Sequence, residues 1–491
     1  MAEAEHSAAD QDTKSRPEPT DELVTTHHTL ETPAGELRYT ATAGRVVLRE
    51  EVLEDKKWVG FKPKAEMFMT AYVLDGADPA TRPVTFAFNG GPGSSSVWLH
   101  LGLLGPRRVL MGDAGALTPP PWGLGDNPQT LLGVTDLVFI DPVTTGYSRM
   151  LEGGQAGEYH GFQKDLESVG ELIRLWTTRN GRWLSPKFLA GESYGTTRAS
   201  ALANHLQKRY GLFPNGIMLI SSVIDMGTIR FTEGNDQSTA LYLPTYAALA
   251  HYHGKLAGRT LAEARAAAEE LATRDYPWAL ARGNRLTAAE RADLVRRLAA
   301  VTGLSETYVD RANLRIEHQR FFRELLRDRG QVIGRLDGRF IGYEADDAAE
   351  RPSHDPSNVA IHGPYAAAFN HYVRQELNFE SDLPYEILTG RVRPWSYAQF
   401  EGRPVSVSEM LAEAMRHNPH LAVHVACGYY DGATPYFAAE HAFAHLAIPE
   451  HLRANIEMRY YEAGHMTYVH EPSRRQQSAD LAAFVERSAQ R

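Results

Sequence analysis

The stretch that most constrains this chain is Gly191-Glu192-Ser193-Tyr194-Gly195. Before it, Lys187-Phe188-Leu189-Ala190 is short, mostly apolar and preceded by Pro186, which predicts a buried strand. After it, Ala199, Leu202, Ala203 and Leu206 recur at helical spacing, which predicts a helix over 196–210. A serine on a turn between strand and helix is the setting of a nucleophile elbow. Its glycine neighbours lack a Cβ, so backbone can approach closely and a strained φ,ψ is tolerated there. The following helix aims the positive end of its dipole at the same point, which favours developing negative charge. A Gly-x-Ser-x-Gly string also arises by chance, so the rest of the chain has to provide a base, an acid and an oxyanion hole.

The flanking pattern describes the scaffold. Residues 1–25 are polar and acidic and read as a disordered, removable tail. Strand patterns at 37–52 and 66–74 fit a hairpin, and 84–88 is a further strand that runs into a loop rich in glycine, 89–96. The continuous apolar run 136–141 predicts a fully buried strand, 162–178 a helix, and 216–223 another buried strand. Strands alternating with helices predict a mostly parallel sheet covered on both faces. Beyond Asp225 the pattern turns helical. Thr260-x-x-Glu263 and Thr287-x-x-Glu290 read as capping boxes. Further helices are expected at 315–327, 364–377 and 406–416, with a hairpin turn at Leu336-Asp337-Gly338. Sheet character returns at 421–428 and 456–461, with helices at 435–446 and 473–488. The expected organisation is a core from 26–225 and 418–491, interrupted by a mainly helical cap over 226–417.

Charge and composition exclude some functions. The net charge is −10, from 51 Lys+Arg against 61 Asp+Glu, which argues against nucleic acid or an anionic membrane as the main partner. The single cysteine, Cys427, forbids an intrachain disulfide and sits in an apolar stretch, as a core residue would. No apolar leader or long apolar run is present, so a cytoplasmic protein is expected. No HExxH-type cluster occurs, and neither metal nor cofactor is expected.

A serine hydroxyl needs a base within hydrogen-bond reach, and that base needs an orienting acid. In a fold of this kind the order is serine, then acid, then histidine. Among 20 histidines, His465 fits: it follows the last strand and Gly464, which lets the chain turn. His441 and His445 fall on an expected helix and His470 just before Pro472, as packing or surface residues do. Asp431 ends the approach from strand 421–428 and is the preferred acid. Asp225 is the rival, and Asp141 precedes the serine and breaks the order. One oxyanion donor should be the backbone N–H of Tyr194, the other that of Gly90 or Gly91. The glycine loop lacks the Gly-Lys-Ser/Thr ending of a phosphate cradle. The residues thus read as an α/β-hydrolase with a helical cap, transferring acyl groups to water through an acyl-serine.

With these elements placed, a family resemblance emerges. Asn89-Gly90-Gly91-Pro92-Gly93-Ser94-Ser95-Ser96 with Gly191-Glu192-Ser193-Tyr194-Gly195 resembles the serine carboxypeptidases. So do Asn127-Pro128, Asp141-Pro142-Val143-x-x-Gly146-Tyr147-Ser148, Gly428-x-x-Asp431 and Gly464-His465-Met466. The resemblance implies release of the C-terminal residue from a peptide with a free terminal carboxylate. It implies Ser193 as nucleophile, His465 as general base and acid, Asp431 as its partner, and Gly91 and Tyr194 as oxyanion donors. Asn89, Gly90 and Glu192 would bind the substrate, with Asn89 and a protonated Glu192 on the terminal carboxylate. Peptidase activity should then fall as Glu192 ionises. The sequence departs from the family at Ser94, where a cysteine is usual, at Thr196-Thr197-Arg198, and at Leu103, which stands where a second glutamate normally pairs with the first. Arg107 and Arg108, which follow, could replace it as carboxylate binders, and a solvated surface pair is the preferred reading. A bacterial-type branch of the family fits these departures.

Two other readings use the same residues. An esterase or acyltransferase would run the same triad without requiring a free terminal carboxylate. A pseudoenzyme would keep the fold but form no acyl-serine with a fluorophosphonate.

Overall fold

The computed structural model describes residues 18–490 apart from 153, 155 and 156. The expected tail therefore lies outside the described residues up to position 17. From Glu22 onward the chain is strand, where the sequence suggested tail as far as 25. Strands β1 (Glu22–Thr32), β2 (Gly35–Glu54) and β3 (Lys57–Leu74) form an antiparallel meander. Beyond it come β4 (Val84–Phe88), β5 (Asp136–Ile140), β6 (Lys187–Glu192), β7 (Gly216–Ile220), β8 (Ala422–Gly428) and β9 (Ile456–Tyr461). Their order across one sheet is β1-β2-β3-β5-β4-β6-β7-β8-β9, with a two-residue strand at Arg149–Met150 paired off β3. From β5 to β9 every pairing is parallel. This is the α/β-hydrolase fold.

The alternation along each buried strand decides which face a side chain serves. Val138, Ile140, Leu189, Ile217 and Leu219 point into one core. It is closed by helices Phe162–Arg179, Tyr194–Tyr210, Ser408–His417 and Tyr436–Ala444. Leu137, Phe139, Phe188, Ala190, Met218 and Ile220 point into the other. That face is closed by helices Pro356–Gln375 and Glu471–Ala489. A third cluster lies within the insertion, where helices Leu243–Tyr252, Leu261–Thr273 and Ala288–Thr302 pack around Tyr246, Leu298 and Phe321. The segment 226–417 thus serves three places: its middle forms this cluster together with Tyr430, while Pro356–Gln375 and Ser408–His417 cover opposite faces of the main sheet.

Local signals account for most element ends. Thr260 and Thr287 each accept a hydrogen bond from the backbone of a glutamate three residues on, whose carboxylate answers the threonine N–H, completing both capping boxes. Three expectations need correction. The helix expected from 364 begins at Pro356, capped by Asp355, and carries Pro364 inside it. Proline favours a helix start, but in an interior it removes one hydrogen bond, and burial of Ile361, Tyr365, Phe369 and Tyr372 outweighs that loss here. The helix expected over 315–327 is confined to His318–Glu324, because Glu317 rather than an earlier residue caps it. The tight turn expected at 336–338 is part of a longer loop, 334–340, joining the short ribbon strands Gln331–Ile333 and Ile341–Tyr343. No helix among the described residues is long and apolar enough to cross a membrane.

Candidate active site

The parallel strands deliver the candidate residues to one edge of the sheet. The carboxyl ends of β4, β6, β8 and β9 lead directly into Asn89, Ser193, Asp431 and His465, the edge at which open α/β sheets bind ligands. Ser193 sits at φ 60°, ψ −129°, a conformation that strains any residue with a Cβ. Its neighbours allow it. A Cβ on Gly191 would overlap the Gly195 carbonyl, and one on Gly195 would come within 2.8 Å of the Phe88 oxygen. The Ser193 N–H donates to the Ile220 carbonyl at 3.0 Å, and Thr196 Oγ1 donates back to the Ser193 carbonyl at 2.6 Å. Thr196 and Thr197, which depart from the family pattern, tie the elbow helix to Val223. Arg198 is buried, forks onto Asp165 at 2.8 and 3.0 Å, and donates to the Asn89 carbonyl at 2.7 Å. The elbow and the glycine loop are therefore braced against each other from below.

His465 and Asp431 meet as a buried pair. His465 Nδ1 lies 2.7 Å from Asp431 Oδ2, which leaves Nε2 as the free ring nitrogen. Asp431 is inaccessible to solvent, and its other donors are the N–H groups of Ala433 and Thr434 and the Thr434 hydroxyl, at 2.7 to 2.9 Å. Burial disfavours a charged His465 ring, but the charge and hydrogen bond of Asp431 outweigh it and raise the histidine's pKa. The loop carrying His465 is fixed from two sides. Its N–H donates to the Leu336 carbonyl of the insertion at 2.6 Å, and Ser221 Oγ donates to its carbonyl at 2.5 Å. Asp337, clamped by Arg339, accepts the Gly464 N–H at 3.2 Å.

Ser193 and His465 open on one cavity of about 420 Å³, together with Asn89, Gly90, Gly91 and Glu192. Gly90 lies flush against the elbow, since a Cβ there would overlap the Tyr194 nitrogen. Gly91 has φ +100°. Among the described residues, neither the Gly91 nor the Tyr194 N–H has a backbone acceptor, so both donors remain available to a ligand. Glu192 is 3% exposed. Asn89 Nδ2 donates to its Oε1 at 2.8 Å, and the Tyr468 hydroxyl donates to its Oε2 at 2.7 Å. Burial raises its pKa to about 7, against the opposing effects of His465 and these two donors.

The other candidates lie elsewhere. Asp225 caps a short turn through the Gly227 N–H at 2.8 Å. Asp141 accepts the N–H and hydroxyl of Ser96 at 2.8 and 2.7 Å, fixing the far end of the glycine loop. The His441 and His445 rings lie 4.0 Å apart, tilted by 33°, and His470 contacts Ser473 at 2.8 Å. Cys427 is buried, and burial pushes its thiol pKa far up. Leu103 is buried among apolar residues, and Asn127 binds its carbonyl and that of Gly105. Arg107 and Arg108 are not the solvated pair expected: both are partly buried, held by Asp126 and Glu376 and by Glu471, and neither lines the cavity of Ser193. Tyr468, Thr434 and Arg335 were not legible as site residues. Tyr468 follows His465 by three positions, and the place for its ring is opened by Gly102, where a Cβ would overlap it. No local pattern announces such a long-range fit.

The family model described as serine carboxypeptidase matches residues 59–471. Among solved structures, the chain resembles a prohormone-processing carboxypeptidase of Saccharomyces cerevisiae, Kex1, with a TM-score of 0.54 at 15% identity, covering 91% of each chain. A proline iminopeptidase from Mycobacterium smegmatis matches with a TM-score of 0.36 at 14% identity, covering 87% of this chain and 96% of that one. No curated protein sequence matches the chain. The family match extends over most of the chain, from the second half of the meander through the elbow, the insertion and the histidine loop, and the chain belongs to the serine carboxypeptidase family.

Proposed function

We propose that this enzyme releases C-terminal residues from peptides through an acyl-serine, with Ser193, His465 and Asp431 as its triad. The observation that carries this reading is the buried His465–Asp431 pair at 2.7 Å, opening on the cavity shared by Ser193 and the Asn89–Glu192 pair. Ser193 Oγ attacks the scissile carbonyl carbon and its proton passes to His465 Nε2. Asp431 holds the Nδ1–H and balances the imidazolium. The oxyanion takes the N–H groups of Gly91 and Tyr194, which are fixed in advance and need no reorganisation. Collapse breaks the C–N bond as His465 returns its proton to the departing amine. Water then attacks the acyl-serine with His465 again as base.

The substrate's terminal carboxylate is received by Asn89 and by Glu192 in its protonated form. A charged Glu192 would repel it at contact distance. Glu192 is therefore a neutral hydrogen-bonding group below about pH 7 and a barrier above it. Tyr468 occupies the side of Glu192 away from Asn89, so here the carboxyl has a phenol as its second partner.

The test is hydrolysis of an N-blocked dipeptide with a free C-terminus, beside its C-terminal amide and a simple ester, with Ser193→Ala as the blank. A fluorophosphonate label on Ser193 reports the nucleophile separately. Cleavage of the free acid but not the amide is expected. Ester turnover alone, lost in Ser193→Ala, would keep the triad and replace the peptidase by the esterase or acyltransferase reading.

A further inference from the structure

The stretch Arg335-Leu336-Asp337-Gly338-Arg339 does more than turn the chain. Its backbone is fixed between the two loops that carry the proposed acid and base. The Leu336 carbonyl takes the His465 N–H, the Gly338 N–H donates to the Tyr430 carbonyl at 3.0 Å, and the Arg335 carbonyl packs so close to Gly432 that a Cβ there would lie within 2.9 Å of it. The side chains of this stretch divide their tasks. Arg339 is buried and paired with Asp337 and Asp113. Arg335 lines the cavity of Ser193 and His465. It lies near enough for its charge to oppose protonation of His465.

Arg335 has no partner for its charge among the described residues: its side chain enters no hydrogen bond or ion pair. The acid that shares the cavity wall, Asp355, is otherwise engaged. Its Oδ1 takes the N–H groups of Arg335 and Ser357, each at 3.0 Å, together with the Ser357 hydroxyl, and its Oδ2 takes the Leu336 N–H at 3.1 Å. That carboxylate holds the loop and caps the helix behind it, and it leaves the guanidinium, which stands between the cavity of Ser193 and a smaller one lined by Gln319, Phe322 and His354, without a side-chain acceptor among the described residues. The other charged wall residues are Arg393, which is exposed, and Glu192, which is neutral below about pH 7. The cavity wall therefore carries two guanidinium groups, Arg335 and Arg393, that form no ion pair among the described residues, while its carboxylate, Asp355, is taken up by backbone N–H groups and the Ser357 hydroxyl. A guanidinium of this kind matches a carboxylate in both geometry and charge.

We propose that Arg335 is a specificity-determining residue that binds an acidic side chain of the peptide substrate, so that the enzyme favours C-terminal dipeptide units containing Asp or Glu. This rests on the peptidase reading above. The terminal carboxylate carries the same chemistry, and the test separates the two sources. Two N-blocked dipeptides with free C-termini, one with a glutamate side chain and one with glutamine in its place, are compared with a neutral ester that reports an intact site. In the wild type the glutamate peptide should have the higher kcat/KM, through KM. Arg335→Gln should lower the ratio of glutamate to glutamine peptide tenfold or more. Arg335→Glu should invert it and favour a lysine-containing peptide. Arg335→Lys should keep part of the preference.

An unchanged ratio in Arg335→Gln overturns the proposal. That covers a uniform fall on both free acids, which would assign Arg335 to the terminal carboxylate, and a fall shared by the ester, which would make it structural. Failure of the peptidase reading is a different result: the wild type would then turn over the ester and neither peptide. In that case the same ratio is read with succinyl and butyryl esters, where Arg335 should still favour the acidic acyl group and an equal rate would refute it.

Discussion

Alkaline pH should abolish the advantage of a free C-terminus while sparing ester turnover. The perturbation is ionisation of Glu192, whose pKa burial raises to about 7. Below that value its carboxyl can donate a hydrogen bond to the substrate's carboxylate. Above it, two anions would meet at a carboxyl whose own hydrogen-bond partners, Asn89 and Tyr468, carry no charge. The fraction of enzyme able to bind falls tenfold for each pH unit beyond the pKa, about 1.4 kcal/mol per unit. Two units above, kcat/KM for the free acid should be down about 100-fold from this cause alone. His465 also titrates, because Asp431 raises its pKa, but in the opposite sense: the base gains competence as pH rises. Dividing kcat/KM of the dipeptide by that of a neutral ester cancels His465, which both substrates need, and leaves Glu192. The assay is that ratio from about pH 5.5 to about pH 9. It should be level in acid and fall with unit slope above about 7. In Glu192→Gln the amide stays neutral, and the ratio should be flat throughout. A flat ratio in the wild type, or the same fall in the glutamine variant, would refute the assignment of Glu192 to the terminal carboxylate.

Three further outcomes are expected. Tyr468→Phe removes a donor that stabilises ionised Glu192, so the alkaline fall of the same ratio should move to higher pH; movement to lower pH would contradict this geometry. Gly90→Ala should lower both kcat and thermal stability, since its Cβ would overlap the Tyr194 nitrogen; an overpacked contact of this kind costs about 1–3 kcal/mol, read as a fall in Tm by calorimetry. Asp337→Asn leaves the buried Arg339 without its main counter-charge and weakens the hold on Gly464; a loss of about 3–5 kcal/mol is expected in denaturant titration, and kcat should fall more than KM rises because His465 loses its positioning.

The chain's own pattern determined the order of elements and the chemistry they could carry. Apolar runs at 136–140, 187–190 and 216–220, each followed or preceded by helical periodicity, admit few arrangements other than a parallel sheet with covered faces, and a serine between two glycines at a strand end predicts a strained turn. Those are local facts, set by backbone sterics and by the two periodicities of strand and helix. Chain order narrowed 20 histidines to His465 and favoured Asp431 over Asp225. Other features lay beyond local reading. β1 is a strand because β2 accepts its whole length in register, and the helix at 356 runs through Pro364 because its apolar side chains find the sheet. The partner of Glu192 is Tyr468, 276 residues away, admitted by the absence of a side chain at Gly102. Leu103 could be read as the loss of a glutamate, but not that a phenol would fill the space around Glu192. The same holds for Arg335, whose loop looked like a turn and whose neighbours Arg339 and Asp355 bind other groups. Which of several similar side chains is left facing a cavity without a partner depends on contacts between segments far apart in the chain, and only the folded structure brings those segments together.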